Sequence, residues 1–293
     1  VVVASQGMTR SVILQAADAA AAAEHAAALD QRREDLAAAV AQTSAYARLT
    51  GLHHRLAANL IYLRFHVDTA DAAGHNMATL AAEAALDWIL QQYPELTYVS
   101  LSGNYCTDKK VSAVNAILGR GRQVTAEARL PADLCRRYLK TTPADLHALN
   151  IKKNLLGSIL AGSLASANAH FANMLLAFYL ATGQDAANLV EGSQGTVYTE
   201  ADDDSLYFAC TLPNVIVGTV GNGKEHEHVR DNLAALGCLE AGAPGAGARR
   251  LAAVAGAAVL CGELSLLAAL TSPHNLMQAH VKYERAADED APS

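Results

Sequence analysis

Apolar residues recur along this chain with two periods, and the change from one to the other marks out helices and strands. Residues 16–29 and 32–49 are Ala-rich with a helical repeat, and Asp30 stands between them where a capping residue belongs. Residues 60–67, Leu-Ile-Tyr-Leu-Arg-Phe-His-Val, have the aromatic and branched composition of a strand. Asp71-Ala-Ala-Gly-His-Asn-Met77 is a turn leading into a helix through about Tyr93, and residues 96–101 form another strand. These elements predict a small α+β unit over about residues 11–100.

A larger, helix-rich unit follows. Residues 111–118 are helical, 123–130 a strand and 131–139 a helix. Thr142-Pro143-Ala144-Asp145 offers a cap, a proline in the first helical position and an acid in the first turn. Residues 154–184 contain no Asp, Glu, Lys or Arg, a stretch long enough to cross a bilayer by count. Ser158, Ser163, Ser166, Asn168, His170 and Asn173 interrupt it, and Gly157 and Gly162 suit close helix packing. The expectation is a buried helix in a large core, not a membrane segment. Residues 196–199, 206–212 and 215–217 read as strands, 242–247 as a loop and 249–270 as a core helix. The Ala/Asp/Glu/Pro-rich tail from 286 reads as disordered.

Composition narrows the function classes. The chain has 293 residues, 52% of them hydrophobic and 17% charged, which suits a packed globular protein. The net charge of −7 argues against nucleic-acid binding, which needs clustered cations to neutralise phosphates. Five scattered cysteines without C-x-x-C spacing indicate neither a disulfide framework nor a zinc site, and suit the cytoplasm. The chain begins at Val1 with no signal-peptide pattern, so it reads as a fragment or a processed chain.

Several segments could carry chemistry, each with a plainer alternative. Ser102-Gly-Asn-Tyr-Cys-Thr-Asp-Lys-Lys110 places an acid beside two lysines in a loop after a strand, a means of holding a cation against a carbonyl. Local chemistry alone reads it first as a solvated turn. Asn168-Ala-His-Phe-Ala-Asn173 sets a histidine in an uncharged segment, more simply a hydrogen-bonded core residue. Asp185 ends that segment at a helix C-terminus, where an acid is electrostatically misplaced without a lysine nearby; an unpaired surface Asp is the alternative. The glycine clusters at 71–77 and 218–223 could cradle an anion or be ordinary turns, and neither has Rossmann spacing. His280, six residues after His274, is a candidate proton donor.

In their order along the chain, these segments resemble the hydroxymethylglutaryl-coenzyme A (HMG-CoA) reductase family, in the class shared by eukaryotes, archaea and some bacteria. Gly7-Met-Thr-Arg10, Gly119-Arg-Gly-Arg122, Leu139-Lys-Thr-Thr142, Asn150-Ile-Lys-Lys-Asn154, Gly183-Gln-Asp185 and Gly262-Glu-Leu-Ser-Leu266 join those above, so the resemblance runs from about Gly7 to Arg285. It implies an α+β fold with a large helix-rich substrate-binding domain and an inserted small ferredoxin-like nucleotide-binding domain. The boundaries would be 1–11 for a remnant of the large domain, 12–100 for the small one, 101–285 for the large one and 286–293 for the tail.

The implied reaction is reduction of HMG-CoA to mevalonate and coenzyme A with NADPH, in isoprenoid synthesis. Lys109, Asp185 and His280 take the catalytic positions. Arg10, Ser102, Asp108, Lys110, Lys153, His170 and Asn173 take substrate-binding positions. Ser44, Asp71, Gly74, His75, Asn76, Met77, Gly221, Gly223 and Arg285 take cofactor positions. A homodimer or tetramer with shared active sites is implied. Three departures matter. The family's Thr-Glu-Gly catalytic Glu falls upstream of Gly7, so this chain is expected to be a truncated catalytic portion, inactive or impaired alone; an upstream membrane anchor is left open. Ala45 stands where an Arg often follows the serine matching Ser44, and His75 replaces a usual Met, which leaves NADH as the alternative cofactor. A non-catalytic chain that binds CoA ligands or pairs with a complete subunit is the competing reading.

Overall fold

The computed structural model describes residues 1–221, 223–273 and 275–281. In chain order its elements are β1 (Val2–Gln15), α1 (Ala19–Gln31), α2 (Arg33–Ala41), β2 (Arg48–Ala57), β3 (Leu60–Asp68), α3 (His75–Gln92) and β4 (Thr97–Ser100). Next come α4 (Ala113–Leu118), β5 (Gly121–Pro131), α5 (Ala132–Leu134), α6 (Pro143–Leu149), α7 (Ser158–Leu160), β6 (Ser166–Ala167) and α8 (Phe171–Ala181). The rest are α9 (Leu189–Gly192), β7 (Gly195–Ala201), β8 (Ser205–Val215), α10 (Glu227–Ala235), α11 (Ala246–Leu270) and α12 (Asn275–His280).

One strand serves two cores. Residues 8–15 of β1 pair antiparallel with β3 and residues 13–15 with β4, while residues 2–7 pair antiparallel with β5. On one side the order β4-β1-β3-β2, all antiparallel, with α1 and α2 after β1 and α3 after β3, is ferredoxin-like. Ile61, Leu63, Phe65 and Val67 alternate onto one sheet face and meet Ala78, Ala81, Ala82, Ala85 and Ile89, which form one stripe of α3. On the other side the sheet continues β5-β8-β7-β6. Leu206, Phe208, Cys210 and Leu212 there face Leu251, Ala255 and Val259 of α11 and Leu175 of α8. A Cβ on Gly256 would lie 2.5 Å from Val124 Cγ1, so α11 seats closely on β5.

The fold corrects several expectations. β1 runs through the expected boundary at residue 11, pairing with β5 before it and with β3 across it, and β2 starts within the last two residues of the stretch read as helix to 49 and continues through residues given no element. α1 is capped by Asp18, whose carboxylate accepts from the Ala21 amide at 2.8 Å; Asp30 instead pairs with Arg33 and His54. Residues 215–217 are the end and continuation of β8, not a separate strand. The uncharged stretch 154–184 is not one buried helix. It turns at Gly162 (φ +69°), crosses β6 and resumes as α8, and its first part is exposed, Ile159 by 64% and Leu160 by 88%. Among the described residues, the helix long and apolar enough to cross a membrane is α11, and it packs on the sheet.

Candidate active site

The Ser102–Lys110 segment leaves β4 and is pinned to the junction of the two cores, where the Gly103 amide donates to Ser11 O at 2.8 Å. Asn104, Thr107 and Lys109 all have positive φ, 58°, 45° and 57°, in the left-handed region that non-glycine residues occupy at a cost. Side chains compensate. Asn115 donates to Thr107 O at 3.2 Å, and the buried Arg64 donates to Asn115 Oδ1 at 3.1 Å and Gly119 O at 2.7 Å. Burial lowers the Arg64 pKa to about 10. Tyr105 OH meets His53 Nδ1 at 2.9 Å and links the loop to β2.

Lys109 Nζ lies 2.8 Å from Asp185 Oδ2. The bond from Asp185 holds the lysine above its ordinary range. Burial works against the Asp185 charge, but the bonds from Lys109 and the Ala187 amide outweigh it and keep the carboxyl below its usual range. Asp185 is better placed than its sequence position suggests. α8 ends at Ala181, the chain reverses at Gly183 (φ +62°), and Asp185 Oδ1 caps the turn that starts at Ala186, accepting from Ala187 N at 3.0 Å.

Behind this pair lies a charge cluster of which sequence reasoning named Asp108 and His75 but missed Arg120 and Glu191. Arg120 Nη2 forms an ion pair with Asp108 Oδ1 at 2.9 Å, and its Nη1 donates to Glu191 Oε1 at 2.8 Å. Glu191 is fully buried, and desolvation raises its pKa even beside the guanidinium. The available signal was an Arg between two glycines, each at positive φ. His75 joins the cluster from the first turn of α3, its Nε2 3.1 Å from Asn188 Oδ1 and 3.8 Å from Asp108 Oδ1. Burial, then the Arg120 charge, lower the His75 pKa, so its ring is neutral at pH 7.

The cofactor candidates fall around a cleft of about 340 Å³ lined by Tyr46, Thr69, Ala70, Asp71, Ala72, Met77, Val220, Gly242 and Pro244. Ser44 adjoins it, its Oγ accepting from Tyr46 N at 3.2 Å. Gly74 (φ +95°) caps α3, and a Cβ there would sit 2.4 Å from Thr69 Oγ1. The Gly218–Gly221 stretch packs on this turn so closely that a Gly218 Cβ would fall 2.3 Å from Ala73 N. Gln184 ties it to the Asp185 turn, accepting from Gly218 N at 2.8 Å. Gly221 and Gly223 are both at positive φ and Asn76 is exposed. Asp71 lines this cleft and also has a structural place: Oδ2 accepts from Gly245 N at 2.7 Å and Oδ1 from Ala248 N at 2.9 Å, so its carboxylate caps α11. Arg285 lies outside the described residues.

The substrate candidates separate into groups. Ser102, Asp108 and Lys110 share the Lys109 loop, where Lys110 donates to Asp108 O at 3.0 Å. Arg10 is in the middle of β1, partly buried. Lys153, His170 and Asn173 stand on the segment leading through the exposed apolar stretch into α8. No side-chain contact joins these three to Lys109 among the described residues. His170 is oriented by the buried Glu263, with Nδ1 2.9 Å from Oε2. The α12 backbone carries His280, whose side chain lies outside what is described. A separate cleft of about 380 Å³ is lined by Arg136, Lys140, Thr141, Thr142, Asp145, Thr271 and Ser272.

A lysine paired to a carboxylate on a constrained loop, where a ferredoxin-like unit joins a helix-covered sheet, defines a two-core α+β protein with a candidate site at the join. The family described as Hydroxymethylglutaryl-coenzyme A reductase matches residues 1–285, and the chain belongs to it. The 3-hydroxy-3-methylglutaryl-coenzyme A reductase of Halobacterium salinarum is 44% identical over 97% of this chain and 69% of its own length. That of Aeropyrum pernix is 42% identical over 95% of this chain and 66% of its own. The chain spans 24% of the Phycomyces blakesleeanus relative, at 43% identity. A class II reductase structure from Streptococcus pneumoniae bound to NADPH has the same fold, with TM-score 0.63 at 20% identity over 99% of this chain and 70% of that one.

Proposed function

We propose that this chain carries the catalytic portion of an HMG-CoA reductase, taking the thioester to mevalonate and coenzyme A with two equivalents of NADPH. The observation that carries this reading is the Lys109–Asp185 pair on the constrained loop. A bound nicotinamide supplies each hydride. Addition of hydride to the thioester carbonyl puts negative charge on its oxygen, and the Lys109 ammonium, kept protonated by Asp185, would stabilise that oxyanion. Loss of the coenzyme A thiolate leaves mevaldehyde, and His280 is assigned the proton the thiolate takes. Arg10, Ser102 and Lys110 would hold the HMG carboxylate, with Asp108 lining the same end of the site.

The residues present fit NADPH. The 340 Å³ cleft opens at the start of α3, whose first turn carries no acid, and the turn beside it is packed so closely at Gly74 and Gly218 that neither position has room for a side chain. In this reading residues 12–100 form the nucleotide unit and 101–285 the substrate unit. Arg136 and Lys140 in the second cleft suit the coenzyme A phosphates.

A homodimer with shared sites accounts for two features together. Leu155, Leu156, Ile159, Leu160 and Leu164 form an exposed apolar ridge, and Lys153, His170 and Asn173 on the same segment make no contact with Lys109 of their own chain. In this reading the partner subunit supplies them. Cytoplasmic location agrees with five free cysteines.

The test is HMG-CoA-dependent NADPH oxidation at 340 nm, with NADH in parallel, using this chain alone and extended at its N-terminus to the relatives' length. Activity in either form supports the reading. A folded protein inactive in both forms, yet binding coenzyme A ligands, supports the non-catalytic alternative.

A further inference from the structure

Arg120 has no part in the reaction as described, yet it is only 2% exposed and holds two carboxylates at once. Its backbone is clamped. The Arg120 amide donates to Asn214 Oδ1 at 3.0 Å, and a Cβ on the neighbouring Gly121 (φ +82°) would lie 2.6 Å from Val215 O, so the segment lies against β8. The guanidinium reaches outward from this fixed base. One arm meets Asp108, the residue before Lys109; the other meets Glu191 in α9, on the short stretch that begins at Asp185.

These two segments present the two halves of the Lys109–Asp185 pair. The Lys109 side is under tension, because Lys109 and Thr107 both hold left-handed backbone conformations that relax unless their surroundings prevent it. Arg120 meets Glu191 by a hydrogen bond and Asp108 by an ion pair, and a planar guanidinium reaches two carboxylates at once better than an ammonium on a flexible stem. We propose that Arg120 is a positioning residue that sets the register of Lys109 against Asp185 by bracing Asp108 and Glu191 from β8. The kinetic consequence rests on the reductase reading; the geometric one does not.

The test compares wild type with Arg120→Lys, Arg120→Met and the double variant Arg120→Met/Glu191→Gln, which avoids stranding a buried carboxylate. The first readout is the rate of Lys109 modification by isotope-coded acetic anhydride against pH, followed by mass spectrometry. The second is steady-state kinetics. Release of Lys109 from Asp185 removes the bond that holds its pKa up, so its labelling at neutral pH rises severalfold in both Met variants, with Arg120→Lys between. In the catalytically active form kcat falls about 100-fold, the usual cost of a small misplacement, while KM for HMG-CoA changes by less than about threefold. Unchanged Lys109 labelling in the double variant, with its circular dichroism intact, overturns the proposal. An inactive wild type whose labelling still shifts sinks the reductase reading and leaves Arg120's positioning role standing.

Discussion

Lys109 Nζ and Asp185 Oδ2 are 2.8 Å apart, joining the loop after β4 to the turn after α8. Neither residue is deeply buried, so the pair is worth little to stability and its value lies in fixing a charge. Asp185→Asn is expected to lower kcat by about 100-fold or more with a small change in KM for HMG-CoA, as for a group acting in the transition state. Steady-state kinetics check this. The lysine pKa, raised by Asp185, should move down toward its ordinary value in the variant, so the alkaline limb of the pH profile shifts to lower pH.

Asp71 caps a helix from a distant segment. Asp71→Ala removes the acceptor for two amides at the start of α11. It should lower the free energy of unfolding by about 1–2 kcal/mol, read from the urea midpoint at unchanged slope. A variant as stable as wild type, with only its cofactor KM raised, would show that the carboxylate serves the ligand instead.

Gly218 touches the turn at Ala73 with no room for a side chain. Gly218→Ala must separate the two walls of the cofactor cleft. KM for NADPH is expected to rise at least about tenfold while the Lys109–Asp185 pair, and with it kcat at saturating cofactor, changes far less. Equal losses in kcat and KM would place Gly218 in the reacting centre.

His66 is half-buried against Gly7, where a Cβ would lie 2.2 Å from its ring, and desolvation lowers its pKa to about 4. The unfolded chain protonates this ring near 6.5 and the folded chain does not. The folded state is therefore at no disadvantage above pH 6.5 and loses stability as pH falls toward 4, by up to about 3 kcal/mol. His66→Gln should flatten that part of the pH–stability curve measured by denaturant titration.

Elements with one buried face were legible in the sequence. The alternation of Leu60–Asp68 and the helical stripe of His75–Gln92 report the core directly. β1 was not legible, because Arg10 interrupts the face of Met8, Val12 and Leu14 and the opposite face buries the polar Thr9 and Ser11, where Ser11 O accepts from the Gly103 amide. β2 was missed for a related reason: His53, His54 and Arg55 leave an edge strand no apolar period. The stretch before α8 misled because hydropathy does not distinguish an exposed apolar surface from a core. In the site, Asp185's need for a cation was readable and the cation was Lys109. Arg120 and Glu191 were invisible as a pair, since only folding brings residues from β8's neighbour and α9 together.

The most direct test of the central claim is the stoichiometry of the reaction in wild type and in Lys109→Met, with NADPH oxidation followed at 340 nm and released thiol titrated in the same sample. In the form extended at its N-terminus the account predicts two NADPH oxidised per coenzyme A released, and turnover lowered by about 1000-fold in a folded Lys109→Met, a loss of about 4 kcal/mol of transition-state stabilisation. Turnover in Lys109→Met within a few-fold of wild type would contradict the assignment of Lys109 to the oxyanion, and with it the site described.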